Sequence, residues 1–138
     1  YWEITVDNIG TNPNDTYLGI VSASGVFSGG LMTGVSWRSG LGFLLVVGGA
    51  VAVSGDPIID AGYGQGDVIQ FFMDYTNNEL YIGINGTWAN SDLPAVTNID
   101  NVVQHTLYSS DNINVGQLEQ VTANFGQTPF LYSVPSGF

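Results

Sequence analysis

Short stretches in which apolar and polar residues alternate are the main pattern along this chain. Residues 1–6 alternate and are rich in β-forming types, as are residues 17–23. Clusters of Gly, Asn, Asp and Pro separate such stretches, and no long segment has the 3.6-residue period of an amphipathic helix. The pattern predicts roughly ten short strands with turns every 8–12 residues, which is typical of an all-β sandwich. The predicted strands are residues 1–6, 17–23, 35–37, 43–47, 50–53, 67–75, 80–84, 87–89, 102–108 and 121–125, and the predicted loops include 8–15, 24–34 and 55–66.

The longest apolar run, residues 41–53, breaks the alternation. It has the form of a hairpin about Gly48 and Gly49, and it is too short to span a bilayer. Successive side chains of a strand point to opposite faces, so both faces of this predicted hairpin need a cover. Either a loop of the same domain or another subunit supplies that cover. The candidate interface residues are Leu44, Leu45, Val46, Val47, Val51 and Val53.

Three positions have the chemistry of turns. Gly66 comes just before a predicted strand, where we expect it to permit tight packing. Asp74 ends that strand and can accept backbone N–H bonds from the turn that follows. Asn85-Gly86 predicts a type I′ hairpin turn, because both residues tolerate positive φ. We assign all of these residues to fold formation.

The same motifs belong to three stretches that follow a specific order. They are an alternating pair of opening strands, a Gly-Asp-Val-Ile strand followed by an Asp turn and an Asn-Gly hairpin, and a closing Asn-Phe-Gly stretch. In this sequence they are residues 1–6 and 17–21, then 62–69 with Asp74, Leu80 and Asn85-Gly86, then 124–130 with Pro135, Gly137 and Phe138. In this order they resemble the SPRY domain family.

The resemblance covers nearly the whole chain. It implies a bent, two-sheet antiparallel β-sandwich, a concanavalin-like jelly roll, without enzymatic activity. Members of the family grip a protein or peptide partner with the loops at one edge. Residues 102–119 and the apolar run at 41–53 depart from the family's pattern, so the resemblance transfers no peptide-pocket residue.

The chain has 138 residues, which fits one domain spanning 1–138. Twelve acidic residues face one basic residue, Arg38, for a net charge of -11. This charge disfavours nucleic acid and anionic membrane surfaces as partners. A nearly Lys-free acidic chain suits a salty exterior, which favours a virion or extracellular location. The chain starts in mid-strand at Tyr1, so we expect it to be part of, or processed from, a larger protein.

The sequence predicts no catalytic residue. The single histidine, His105, belongs to no recognisable Ser-His-Asp order, and no Gly-x-Ser-x-Gly motif is present. Glycoside hydrolysis needs two carboxylates that flank a sugar. The three glutamates, Glu3, Glu79 and Glu119, do not occupy alternate positions of one strand.

We predict no cofactor and no metal site. Calcium is the alternative, because Asp56, Asp60, Asp111 and Asn112 fall in predicted loops. They lack the regular Asp-x-Asp-x-Asp-Gly spacing of a calcium-binding loop.

The candidate binding residues are aromatic side chains in or beside predicted loops, together with the one cation: Trp37, Arg38, Tyr63, Trp88 and Tyr108. Aromatics in such positions form hot spots for protein or stack on sugars, and they also serve as rim packing. Arg38 can anchor a carboxylate or form a structural ion pair.

The functional hypothesis is a non-catalytic binding or assembly module. A phage capsid decoration or tail-fibre domain, or another extracellular adhesion domain, fits best. Its edge loops would recognise a protein partner or neighbouring subunit, or a glycan, without nucleic acid or membrane insertion. One alternative is a scaffolding subunit that packs through the apolar residues 43–53. The other is a carbohydrate-active enzyme.

Overall fold

A computed structural model describes residues 1–9, 16–22, 34–38, 44–47, 50–51, 56–99, 105–111 and 120–134. These residues form antiparallel β-sheet with almost no helix, so the all-β prediction is confirmed. The elements are β1 (Trp2–Asn8), β2 (Thr16–Ser22), β3 (Gly34–Arg38), β4 (Leu44–Val47), β5 (Ala50–Val51), α1 (Pro57–Ala61), β6 (Val68–Asp74), β7 (Glu79–Ile84), β8 (Thr87–Trp88), β9 (Val96–Thr97), β10 (His105–Asp111) and β11 (Gln120–Asn124).

The described strands form two sheets. A seven-stranded sheet has the order β11-β1-β6-β7-β9-β5, with β8 beside β7, and a four-stranded sheet has the order β10-β2-β3-β4. In the larger sheet the opening strand β1 lies between β11 and β6. The first and last described strands of the chain are therefore hydrogen-bonded neighbours.

One hydrophobic cluster contains side chains from both sheets. The larger sheet contributes Ile4, Ile69 and Phe71, each fully buried, and the smaller sheet contributes Leu18 and Trp37. Ile4 and Ile69 are paired across β1 and β6, so their side chains share one face of the larger sheet. Alternate residues of the same strands must therefore face away from this core.

The predicted hairpin at residues 43–53 is wrong. β4 pairs with β3 in the four-stranded sheet, whereas β5 pairs with β9 in the seven-stranded sheet. Each apolar strand thus finds a different neighbour, and two such strands in succession need not pair with each other. Gly48, Gly49 and Val53 lie outside the described residues.

The predicted loop at 55–66 contains the short helix α1. Asp56 caps its N-terminus, because its Oδ1 accepts hydrogen bonds from the amides of Ile58 at 2.9 Å and Ile59 at 3.1 Å. Pro57 occupies the first turn, where its missing N–H is not needed. A cap followed by proline was the available signal for this helix.

The turn chemistry at Asp74 and Asn85-Gly86 is confirmed. Oδ1 of Asp74 accepts the amides of Thr76 at 2.8 Å and Asn77 at 3.1 Å. Asn85 and Gly86 have φ of 50° and 84°, as a type I′ turn requires. Gly66 is needed for another reason than the predicted tight packing. Its φ is 90°, while a Cβ at this position would meet no atom within 4 Å.

Among the helices of the described residues, none has both the length and the apolar character needed to cross a membrane. Of the predicted loops at 8–15 and 24–34, residues 10–15 and 24–33 lie outside the described residues, whereas Asn8 ends β1 and Gly34 begins β3.

Candidate functional site

Two polar side chains are buried on the face of the larger sheet that points away from the hydrophobic core. Glu3 is 2% exposed and Gln70 is 0% exposed, and they are paired across β1 and β6. Their neighbours Ile4 and Ile69 face the core, so Glu3 and Gln70 face the other side. Residues 125–134, called here the 125–134 segment, fold back over this side.

The Glu3 carboxylate holds the 125–134 segment by its backbone. Oε1 accepts the amide N–H of Tyr132 at 2.8 Å, and Oε2 accepts the amide N–H of Leu131 at 2.9 Å. The Tyr1 hydroxyl donates a third hydrogen bond to Oε1 at 2.8 Å. A carboxylate that is buried away from water needs hydrogen-bond donors in place of the water, and these three groups supply them.

Gln70 extends the same network to the turn after β7. Its Oε1 accepts the amide N–H of Gly86 at 2.7 Å, and its Nε2 donates to the Tyr1 hydroxyl at 3.2 Å. Both ends of its amide group are therefore hydrogen-bonded, as a fully buried amide requires.

Aromatic rings cover these polar groups. The Tyr1 ring packs edge-to-face against Phe130 with a centroid distance of 4.6 Å, and it lies 6.2 Å from the ring of Trp88. The Tyr132 ring lies against Gly86, because a Cβ there would come within 2.7 Å of its Cδ1. Gly86 thus serves both the positive φ of the turn and the close approach of Tyr132.

Asn124, at the end of β11, starts the reversal of the 125–134 segment. Its Oδ1 accepts the amide N–H of Gly126 at 3.0 Å. Its Nδ2 donates to the carbonyls of Thr128 at 3.2 Å and Pro129 at 3.3 Å. Gly126 has a φ of 94°, which an L-residue rarely adopts.

An open depression of about 410 Å³ lies where this segment meets the β7–β8 turn. Leu131 is 70% exposed at its rim and Val134 is 38% exposed. Such a cluster of exposed apolar side chains beside polar groups is a feature of binding surfaces. The depression is lined by Gly86, Trp88, Asp92, Leu131, Tyr132, Ser133 and Val134.

Strained backbone forms another part of this site. Asn90, Ser91 and Asp92 have φ of 56°, 54° and 66°, so three consecutive residues adopt the left-handed conformation. L-residues rarely do so in succession, since the left-handed conformation is less favourable than the right-handed one by about 1–2 kcal/mol per residue. The turn is held by Asp56, whose Oδ2 accepts the Asn90 amide at 2.7 Å, and by an Asn90 side-chain bond to the Pro94 carbonyl at 2.9 Å. Strain that the surroundings maintain in this way often marks a functional site.

Of the predicted binding residues whose side chains the structure describes, Trp88 is the one that lines the depression, and it is 8% exposed. Trp37 and Tyr63 instead belong to the hydrophobic core, at 0% and 3% exposure. Trp37 lies in β3, its indole N–H donates to the Ile59 carbonyl at 3.0 Å, and its ring lies 5.4 Å from that of Tyr63. Neither aromatic presents a surface to a partner in this structure.

For the other predicted binding and interface residues that it covers, the structure describes the backbone without the side chain. Arg38 lies in β3, Tyr108 in β10, Leu44, Leu45, Val46 and Val47 in β4, and Val51 in β5, and the structure describes only their backbone. His105 begins β10, with its backbone alone described.

The calcium candidates are not grouped in the described part of the chain. Asp56 uses both carboxylate oxygens to accept backbone N–H groups. Asp60 lies exposed on α1 and Asp111 ends β10, while Asn112 is outside the described residues. Within the described ranges, no three His, Cys, Asp or Glu side chains form a group that could hold a metal ion.

The glutamates considered for hydrolysis have other contacts. Glu3 holds the 125–134 segment, and Oε2 of Glu79 accepts the Tyr81 hydroxyl at 3.1 Å. Glu119 is outside the described residues.

Among the described residues, three side chains have a shifted pKa. Burial, followed by the hydrogen bond to Glu3, raises the pKa of the Tyr1 phenol well above its usual value. Burial, followed by the hydrogen bond to Glu79, raises the pKa of Tyr81 to about 12. The side-chain hydrogen bond from Asn77 lowers the pKa of Asp74, and the turn amides act in the same direction.

Sequence reasoning did not identify Gln70, Tyr132 or Asp92 as site residues. A glutamine inside an alternating strand is normally assigned to the solvent face. The 125–134 segment helps to bury this face, and no local pattern shows that the segment folds back.

No protein-family model matches the chain, and no curated protein matches it. The residues and their geometry therefore carry the functional argument.

We expect Glu3→Gln to destabilise the protein by about 1.5–3 kcal/mol, because the amide offers one acceptor where the carboxylate offers two to buried donors. The free energy of unfolding in urea measures this loss. Asp7→Asn is the matched control, since it removes one charge from an exposed position of the same strand and keeps a side-chain oxygen that can accept the Thr122 hydroxyl, so it should change stability by less than about 0.5 kcal/mol. Equal effects of the two substitutions would show that Glu3 does not hold the segment.

We expect stability to fall as the pH rises from about 10 towards 12. The unfolded phenols of Tyr1 and Tyr81 ionise near pH 10, while their pKa in the folded protein is higher. Their stabilising contribution is therefore complete below pH 10 and is lost as the pH rises through the folded-state pKa. The urea concentration at the midpoint of unfolding should fall less steeply between pH 9 and 12 for the double variant Tyr1→Phe, Tyr81→Phe than for the original protein. Parallel curves would exclude this linkage.

Proposed function

We propose that this chain is a non-catalytic binding or assembly module. Its two sheets would pack face to face as a β-sandwich of the SPRY, concanavalin-like type. The shared hydrophobic cluster, with Ile4 and Phe71 from one sheet and Leu18 and Trp37 from the other, supports this packing. The resemblance of the ordered sequence motifs supports the same architecture.

The observation that carries the functional proposal is the exposed apolar rim of the depression. Leu131, at 70% exposure, and Val134 line the depression together with Trp88, which is nearly buried. The backbone beneath Leu131 is fixed by Glu3, so this apolar side chain is presented from a positioned backbone. A preorganised apolar anchor of this kind favours binding, because less conformational freedom is lost on association.

Several polar side chains of the described region are occupied in fixing the backbone. Asp56 caps α1, Oδ2 of Asp67 accepts the Gly64 amide at 2.7 Å, and Asp74 holds the turn after β6. Oδ1 of Asp67 also accepts a bond from the Asn85 side chain at 2.7 Å. These roles favour recognition by shape over acid–base chemistry as the use of this fold.

The setting we propose is a virion, as a capsid decoration or tail-fibre domain, or another extracellular surface. The net charge of -11 with a single Arg supports it, because salt screens the repulsion between acidic groups. The partner is a protein or a neighbouring subunit, with a glycan as the second ligand class. The same charge disfavours nucleic acid.

We expect Leu131→Ser to weaken ligand binding by about tenfold, as removal of an apolar anchor does. Ligands would first be selected with the original protein from a random-peptide display library and a glycan array. Their dissociation constants would then be measured by calorimetry. Phe125→Ser is the matched control, because Phe125 is 61% exposed but does not line the depression. The proposed site is wrong if neither library yields a ligand, or if both substitutions weaken binding equally.

The position of β4 favours a second function, as a scaffolding subunit. In the described part of the chain β4 pairs with β3 alone, so an apolar Leu-Leu-Val-Val strand lies at the edge of the four-stranded sheet. Exposed apolar edge strands pair readily with other chains.

Light scattering after size exclusion tests this second function. An assembly through β4 should give a concentration-dependent oligomer, and Leu45→Lys should reduce it, because a charged edge residue opposes pairing. Leu45 pairs with Ser36, whereas Val46 pairs with the core residue Val35, so the position of Leu45 is better suited to substitution. A strict monomer at high concentration would exclude assembly of the free chain.

A further inference from the structure

Asp92 places a carboxylate in the wall of the depression. The residue is exposed, and within the described ranges its side chain has no hydrogen bond or ion pair. Its backbone is part of the left-handed turn that Asp56 and the Asn90 side chain hold. The depression thus has a negative group that is carried by a held backbone turn.

Apolar and aromatic residues line the same depression as this carboxylate. Leu131 and Val134 expose their side chains. Tyr132, which lies between them in the sequence, also lines the depression. A Lys or Arg side chain has matching parts, because its methylene stem packs on apolar surface while its charged head seeks a carboxylate. An Arg head also stacks on an aromatic ring.

The charge of the whole chain indicates where such a cation comes from. Twelve acidic residues and a single Arg give a net charge of -11, so two copies of the chain repel each other and anionic ligands are repelled as well. A second copy supplies one cation, Arg38, which lies on β3 in the other sheet. A different protein with a net positive charge is attracted by the negative charge of this chain.

We infer that the depression binds a Lys or Arg side chain of a basic protein partner, with Asp92 as its counter-ion and Leu131, Val134 and Tyr132 as its apolar wall. This inference rests on the proposed function as a binding module and names the partner's chemistry. An exposed pair of this kind gives selectivity and a faster encounter more than it gives affinity.

Nuclear magnetic resonance titration of the whole chain tests the inference. The probes are N-acetylated, C-amidated single residues: arginine, lysine, leucine and glutamate. We expect arginine and lysine to shift the signals of Gly86, Asp92 and residues 131–134, with millimolar dissociation constants. Leucine should bind more weakly, and glutamate should not bind.

Asp92→Asn should weaken arginine binding by about two- to fivefold, the contribution of an exposed ion pair. Asparagine tolerates the left-handed conformation well, so this substitution should not unfold the turn. Asp7→Asn removes the same charge from a position outside the depression and should have no measurable effect at about 0.15 M salt. The effect of Asp92→Asn should also decrease as salt is added.

The outcomes separate this inference from the proposed function. Leucine binding as tightly as arginine, or no difference between the Asp92→Asn and original proteins, would overturn the basic partner while leaving the depression as a binding face. Equal weakening by Asp7→Asn would show unspecific attraction and would also overturn it. Absence of shifts from every probe, together with failed library selection, would overturn the proposed site itself.

Discussion

The buried carboxylate of Glu3 is the constraint on which the rest of the candidate site depends. Removing a carboxylate from water is unfavourable by several kcal/mol unless donors replace the water. Here the donors are two successive backbone amides of the 125–134 segment and the Tyr1 hydroxyl. Leu131 and Tyr132 thereby receive fixed backbone positions, and both line the depression. The site exists because a charge on an early strand is satisfied by backbone 128 residues further along the chain.

The backbone position that Glu3 gives the 125–134 segment explains the need for Gly86. The segment can approach the sheet closely only where side chains are small, and Gly86 provides that space under the Tyr132 ring. Independently of Glu3, Gly83 makes room for its β8 partner Trp88, since a Cβ there would come within 3.0 Å of the indole. The outer face of the larger sheet is therefore covered by aromatic rings above hydrogen-bonded polar groups. This cover leaves Leu131 at the surface, which gives the depression its apolar rim.

Much of the fold could be predicted from the sequence, because alternation and turn chemistry are local signals. Most strand positions, the Asp74 turn and the Asn85-Gly86 hairpin followed from residue types within a few positions. The relation of β4 to β5 did not, since an apolar run with no alternation does not show which strand each half will pair with. The sequence around Trp37 likewise did not show that its side chain lies in the hydrophobic core.

The candidate site was less predictable, because its contacts are not local. Trp88 was identified as a loop aromatic, whereas Gln70 had the pattern of a solvent-facing residue. The left-handed turn at Asn90 to Asp92 depends on Asp56, which is 34 residues away from Asn90 in the chain. Such positions become visible only when the fold brings distant segments together.

Residue-resolved amide hydrogen exchange of the original protein tests the central claim most directly. The amides of Leu131 and Tyr132 donate to a buried carboxylate, so they should be protected to a degree similar to the amide of Val6, which bonds to the Asp67 carbonyl in the sheet. Exchange of both amides at the rate of an unstructured peptide, with Val6 still protected, would contradict the account.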